Sequence, residues 1–339
     1  MRENCNRMKY FEKVEKIPAE IYYHYTSLDA LYSIVTSQTF RLTSLKSSND
    51  KKELYYKSET FLEDFERVCN KELDKNTKQC FELVKESLEV HRAEFMKICK
   101  EKSYPYALCL SEKKDNLTHW DRYAAQCTGV CIGFNVSALK ILMQRMAITA
   151  FGIGVYDIGK VLYSSEQKER FIRMAMVTLF NTLGRKEILD RCNILEVIKR
   201  NGFTYAASAY MQCAKFAKND SFVDEDEVRL YHGTESIKGT LHLIDLMEND
   251  IEPELYLNLK KHLKEFVELL HLNEERFCVS SRGIRSYKEL CLKEVWGEGT
   301  IPEIILGPMC VQNKNELRRF LNANGLNGTK IAVSGVPIR

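Results

Sequence analysis

The sequence predicts an α+β fold, with a β core assembled from short, scattered strands and interrupted by large helical insertions. Two observations carry this expectation. Segments rich in β-branched and aromatic residues recur along the chain, among them Ile21 to Tyr25, Tyr106 to Ser111, Gly129 to Phe134 and Ile301 to Leu306. Between them lie long, charged helical stretches at about 51–102 and 165–216, the first without proline or glycine. No internal repeat, low-complexity tract or proline-rich linker marks a boundary, so residues 1–339 read as one domain.

The elements follow in order. The strand Ile21 to Tyr25 stops at Thr26-Ser27, and Ser27 is a good N-cap for a helix over Leu28 to Val35, with Leu28, Leu31, Tyr32 and Val35 at helical spacing. Thr39 to Leu45 alternates again and carries Arg41, before the turn Ser48-Asn49-Asp50. The strand Tyr106 to Ser111 gives way to a polar turn and a short helix around Trp120 to Ala125. Gly129 to Phe134 is an apolar strand, with Ser137 expected to cap a helix over Leu139 to Met146. A strand is expected in Val155 to Tyr163, then helix from Glu166 to about Phe216 with a break near Asn201-Gly202. Glu227 to Tyr231 is a short strand. Pro253 to Leu272 reads as an amphipathic helix with proline in its favoured first turn. Arg276 to Lys293 reads as a hairpin around Ser281-Arg282-Gly283, and Ile301 to Leu306 as a buried strand ended by Gly307-Pro308. A helix over Asn315 to Asn322 and a strand over Lys330 to Ser334 close the chain.

Composition excludes more than it selects. A net charge of +3 with 29% charged residues does not announce a nucleic-acid binder. The start lacks the apolar core of a signal peptide, and no apolar run approaches the ~20 residues of a membrane helix, so the expectation is a cytoplasmic protein with no membrane partner. The 12 cysteines include no CxxC pair, and many sit in apolar runs, such as Cys109 in YALCLS. Reduced, buried thiols explain them better than zinc or disulfides, and no metal is expected.

Three places carry candidate chemistry. His24 sits on an aromatic strand whose end faces a helix N-terminus, a position suited to phosphate or ribose hydroxyls. Ser111 ends a strand that leads into a helix bearing Trp120 and Tyr123, so a hydroxyl would lie beside an aromatic wall. In Asp224-Glu225-Asp226-Glu227-Val228-Arg229, a continuing strand would place Glu225, Glu227 and Arg229 on one face. Each also has a plainer reading: a hydrogen-bonded structural histidine, core aromatics and a solvated acidic loop.

Taken together, YHYTSLDALYSIV, the Ser-Asn-Asp turn with Glu53, S-E-x-x-D-N-x-x-x-W-x-x-Y, GVCIGF, E-x-E-x-R and IPEIILGP resemble a widespread bacterial family of unknown function. That family in turn resembles the ADP-ribosyltransferase superfamily at its strand-borne histidine, strand-end serine and E-x-E. Lys51, Leu110 and His119 depart from the family pattern. The resemblance implies a split β-sheet core of ADP-ribosyltransferase type, with the helical insertions packed outside it. It implies NAD as substrate: His24 on a ribose hydroxyl, Ser111 supporting the nicotinamide ribose, and Glu227 stabilising the cationic transition state. Glu225 would orient or deprotonate the acceptor. Tyr25 and Tyr123 would stack on nicotinamide, Thr26 would join the NAD contacts, and Arg41 and Arg229 would neutralise pyrophosphate, although Arg229 fits an ion pair with nearby acids equally well.

The implied activity is transfer of ADP-ribose to a macromolecule, nucleic acid or protein, or to water, in a setting of bacterial stress, toxin action or phage defence with a partner protein. The alternative is a non-catalytic nucleotide-binding or interaction module on the same scaffold, because a fold does not fix an activity. A nuclease or other hydrolase ranks third, since no metal-ligand cluster shows recognisable spacing.

Overall fold

A computed structural model describes residues 21–45, 56–100, 106–145, 156–183, 194–232, 253–254, 256–258, 260–261, 275–280, 283–297 and 299–337. Among these, ten strands form one open mixed sheet: β1 (Ile21–Thr26), β2 (Thr39–Ser44), β3 (Tyr106–Ser111), β4 (Val130–Asn135), β5 (Tyr156–Lys160), β6 (Glu227–His232), β7 (Arg276–Ser280), β8 (Gly283–Cys291), β9 (Glu303–Leu306) and β10 (Lys330–Val333). The main path runs β10-β9-β4-β1-β3-β2-β8-β7, and β6 joins β3 to β5 off that path. Among the described strands, only β9 and β10 pair in parallel.

The described helices are α1 (Leu28–Ser37), α2 (Ser58–Cys69), α3 (Lys75–Val90), α4 (Arg92–Lys100), α5 (Leu117–Tyr123), α6 (Val136–Arg145), α7 (Ser165–Leu183), α8 (Ile194–Phe216) and α9 (Lys314–Ala323). The mixed α/β architecture agrees with the expected class at that level.

The sheet forks at β3. Its full length pairs with β6, from Tyr106↔His232 to Ser111↔Glu227. Its other edge is shared: β1 pairs at one end through Tyr23↔Ser111, and β2 at the other through Thr43↔Ala107 and Ser44↔Tyr106. Between those contacts β1 and β2 draw away from the middle of β3. One face of the fork is closed by α1, whose Leu31, Ile34 and Val35 share a core with Tyr22, Phe40, Leu108 and Leu230. The helix forms there for the expected local reason: Ser27 Oγ accepts the Ala30 N–H at 3.2 Å. Tyr32 does not join that core; it is exposed and stacks on Phe320, ring centres 5.5 Å apart.

A second core is mostly helical. Helices α2, α3 and α4 pack against α7 and α8 through Phe61, Phe65, Phe81, Phe95 and Tyr210. Each buried aromatic of this kind contributes roughly 1.5–3 kcal/mol. The two sequence insertions therefore cover each other. Helix α8 also reaches the sheet, where Phe216 lies 6.4 Å from the Tyr231 ring.

Several local expectations need correction. The helix α8 runs through Asn201-Gly202 without a break. Gly202 is there because α3 comes close: a Cβ would meet Ser87 Cβ at 2.8 Å and Val84 Cα at 2.9 Å. Ser137 lies inside α6 and not at its cap; Asn135 Oδ1 accepts the Ser137 N–H at 3.0 Å instead. The hairpin β7–β8 closes as expected, with Ser280↔Gly283 as its last pair. The turn at 46–55 and most of the expected 253–272 helix lie outside the described residues.

Candidate functional site

The β3–β6 ladder sets Ser111 directly opposite Glu227, and the single β1 contact sets Tyr23 opposite Ser111. Because side chains of directly paired residues share a face, these three form one row across three strands. The row lies on the face away from the α1 core. The chain enters it through a 3₁₀ turn, Asp220–Glu225, started by Asn219, whose Oδ1 accepts the Ser221 N–H at 3.0 Å. Asp226 then takes a left-handed conformation, φ 40°, and β6 begins at Glu227. Glu225 is thus on the turn and not on the strand, contrary to the period-two expectation.

The two glutamates still meet, through a cation. Lys218 Nζ lies 2.7 Å from Glu225 Oε2 and 2.9 Å from Glu227 Oε2. Arg229 grips Glu227 with Nε at 2.6 Å from Oε1 and a terminal nitrogen at 3.2 Å from Oε2. Arg229 is fully buried and also donates to the Lys215 carbonyl at 3.1 Å. Burial alone would raise the Glu227 pKa, but Arg229 and Lys218 outweigh it and hold it at about 2. Glu227 is therefore an ionised carboxylate at any physiological pH. Tyr163 and Tyr123 complete the group. The Glu227 N–H donates to the Tyr163 hydroxyl at 3.1 Å, and Tyr123 donates to Glu225 Oε1 at 2.7 Å. Burial, with the neighbouring carboxylates, pushes both phenols well above the usual tyrosine range.

A polar hub below the row organises the turn. Ser111 Oγ donates to the Glu225 carbonyl at 3.0 Å and accepts the Lys113 N–H at 3.1 Å. Tyr25 donates to the Lys113 carbonyl and accepts the Asn116 N–H, both at 2.9 Å. Its ring packs 5.0 Å from Trp120, edge-on, and 5.0 Å from His119. Asp115, at φ 56°, accepts from Trp120 Nε1 at 2.7 Å, Ser334 Oγ at 2.5 Å and the Gly335 N–H at 2.8 Å.

The candidate residues fall into two groups. Ser111, Glu225, Glu227 and Tyr123 are joined by direct contacts or through one intermediary, and the buried Tyr25 bonds to the main chain of Lys113 and Asn116 beside them. His24 stands apart from this row. It is one residue out of phase with Tyr23 and Tyr25, and its Nδ1 lies 2.9 Å from the Cys109 carbonyl, where the β1–β2 edge of β3 is unpaired. Burial lowers its pKa, only partly offset by that bond, so it is a neutral ring donating to the backbone. Thr26 ends β1 opposite Val130, and Gly129 lacks a side chain because a Cβ there would lie 2.2 Å from the Thr26 carbonyl. Arg41 is exposed on β2, its guanidinium 5.0 Å from the Tyr287 ring.

Lys218, Tyr163, Tyr23 and a bonded role for His119 are not singled out by the sequence. Lys218 carries a weak signal, a lysine between the end of a long helix and the E-x-E segment. Tyr163 carries none, since its role depends on β5 pairing with β6. Among the described residues, no group of three or more His, Cys, Asp or Glu side chains is arranged to hold a metal, and no helix is long and apolar enough to cross a membrane.

Comparison with known families places this site in context. A family model described as a protein of unknown function (DUF2971) matches residues 119–230. That span holds His119, Tyr123, Tyr163, Lys218, Glu225, Glu227 and Arg229, and leaves His24 and Ser111 outside it. No curated protein and no solved structure shows significant similarity to the chain. The match is consistent with the expectation of a family of unknown function.

Proposed function

We propose that this chain cleaves the bond between nicotinamide and ribose in NAD and passes ADP-ribose to a macromolecular acceptor or to water. The observation that carries the reading is the buried Glu227, held by Arg229 and Lys218 in register with Ser111 beside a forked sheet. Loss of nicotinamide takes the bonding electrons with it and leaves an oxocarbenium-like sugar, which a fixed anion stabilises. Glu225, joined to Glu227 through Lys218, would receive the proton that the acceptor nucleophile releases as it attacks C1′. Tyr123, part-exposed and bonded to Glu225, supplies an aromatic face at the mouth of the site.

A second reading, a non-catalytic module, also has a specific observation behind it. A carboxylate has about four acceptor positions. Glu227 receives three bonds from Lys218 and Arg229, and the Cys109 thiol adds a donation. With Glu225 the cluster holds two acids and two bases. Such a set can serve stability alone.

Incubation of the full chain with NAD labelled in the nicotinamide or the adenylate, alone and with cell lysate, tests the two. Release of nicotinamide, or label on a macromolecule, supports NAD cleavage. A folded protein that does neither overturns it and leaves the module reading.

A further inference from the structure

We propose that His119 is a positioning residue whose ring bridges the start of α5 to the main chain of Glu225, and that a second proton on the ring completes the bridge. The ring lies between two oxygens: Nδ1 is 2.9 Å from Asn116 Oδ1, and Nε2 is 3.0 Å from the Glu225 carbonyl. Both oxygens are acceptors. The carbonyl can be nothing else, and the Asn116 amide is oriented by its capping role, since Oδ1 also accepts the His119 N–H at 3.3 Å. A neutral imidazole has one N–H. One ring nitrogen must therefore turn a lone pair toward an oxygen, whichever tautomer is present, whereas an imidazolium donates to both.

The surroundings set the balance. The ring is buried, with Tyr25 from β1 at 5.0 Å and Tyr123 from α5 at 5.8 Å. Lys113 of the preceding loop disfavours the added charge, while Glu225 at the end of the 3₁₀ turn and Asp226 after it favour it. Burial dominates and holds the pKa below the usual histidine value, so at neutral pH the bridge is half made. Acid completes it locally. The same acid costs global stability, because a folded-state pKa below the unfolded value of 6.5 means that stability is lost as pH falls through that window. A buried ring that only filled space would show the loss of stability but not the local bridge.

The bridge bears on the site because the Glu225 carbonyl also receives Ser111 Oγ, and the Glu225 carboxylate holds Tyr123 and Lys218. Any consequence for catalysis rests on the NAD-cleaving reading; the bridge itself does not. The test uses the full chain labelled with ¹⁵N-histidine, His119 being assigned by its loss in His119→Phe. Ring nitrogen shifts and amide exchange of residues 220–226, corrected for intrinsic rates, are followed from pH 8 to pH 5. The expected result is one protonated ring nitrogen at high pH and two at low pH. Protection of the turn amides should fall on acidification in the wild type, because opening returns the ring to its ordinary pKa, and stay flat in His119→Phe. His119→Gln, which keeps an amide donor and cannot titrate, should also stay flat if the Phe variant does not fold. Parallel pH profiles in wild type and variant, or a ring that never gains the second proton, overturn the proposal. Either outcome can be read whether or not the protein cleaves NAD.

Discussion

His24 and Glu227 belong to one sheet, yet unlike forces hold them. His24 stands at the fork, where a single ring nitrogen substitutes for a missing strand by donating to the Cys109 carbonyl. Glu227 sits on a strand paired on both sides, is almost fully buried, and is gripped by two cations. Losing the first leaves a backbone carbonyl beside an opening that water can enter. Losing the second leaves Arg229 buried without its counter-ion and Lys218 with Glu225 alone. The sheet should therefore tolerate change at the fork and resist it on β6, whatever the chemistry at either place.

The largest effect tests the resistant end. Glu227→Gln should destabilise the protein by about 3–5 kcal/mol, the cost of breaking a buried pair from one side. The same substitution should reduce NAD turnover about 10²–10³-fold per folded molecule, if the proposed activity holds. Denaturant melts and activity normalised to folded fraction separate the two. A variant as stable as wild type would show that the cluster is not the anchor described here. Acid gives the matching result without mutation. The Glu227 pKa is depressed from 4.5 to about 2, so its contribution is present above pH 4.5 and lost as pH falls from there toward 2. Roughly 3 kcal/mol should disappear across that window. Wild type and Glu227→Gln should converge in stability below about pH 2; curves that stay parallel would assign the acid loss elsewhere.

Between these extremes lie two contacts that sharpen the contrast. Gly202→Ala should destabilise by about 1–2 kcal/mol, because overpacking against α3 backbone exceeds the helix propensity gained. A higher melting temperature in that variant would mean that α3 and α8 can part freely. Asp115→Asn should cost about 1–2 kcal/mol, since burial of its carboxyl is offset by bonds from Ser334, Gly335 and Trp120 that keep its pKa low. Trp120 fluorescence should shift with it; an unchanged spectrum would show that the indole N–H has no need of that partner.

The same contrast explains what was legible in the sequence. The β1–α1–β2 region could be read almost residue by residue, because its determinants are local: alternation in Ile21 to Tyr25, a serine cap, and apolar spacing in the helix. The Glu227 region could be read only as a list of ingredients. Its acids, Arg229 and a strand from Glu227 are visible, but the period-two placement of Glu225 fails because nothing nearby in sequence signals a left-handed Asp226. Lys218 and Tyr163 join through β5, β6 and the end of α8, contacts that no local pattern encodes. Gly202 misleads for the same reason: a glycine that admits a neighbouring helix looks like one that ends its own.

The smallest effect belongs to the fork. His24→Ala should lower stability by only about 0.5–1.5 kcal/mol, because the released Cys109 carbonyl can take a water in place of the ring. Under the NAD-cleaving reading the same substitution should weaken NAD binding by roughly 1–3 kcal/mol through loss of a ribose hydrogen bond. Calorimetry on the folded variant distinguishes the roles. A lowered melting temperature with unchanged affinity would assign His24 wholly to closing the fork. Weakened binding with little change in stability would assign it to the ligand. A loss of stability as large as that of Glu227→Gln would break the comparison itself, since a single ring-to-backbone bond at an open edge cannot match a buried carboxylate held by two cations.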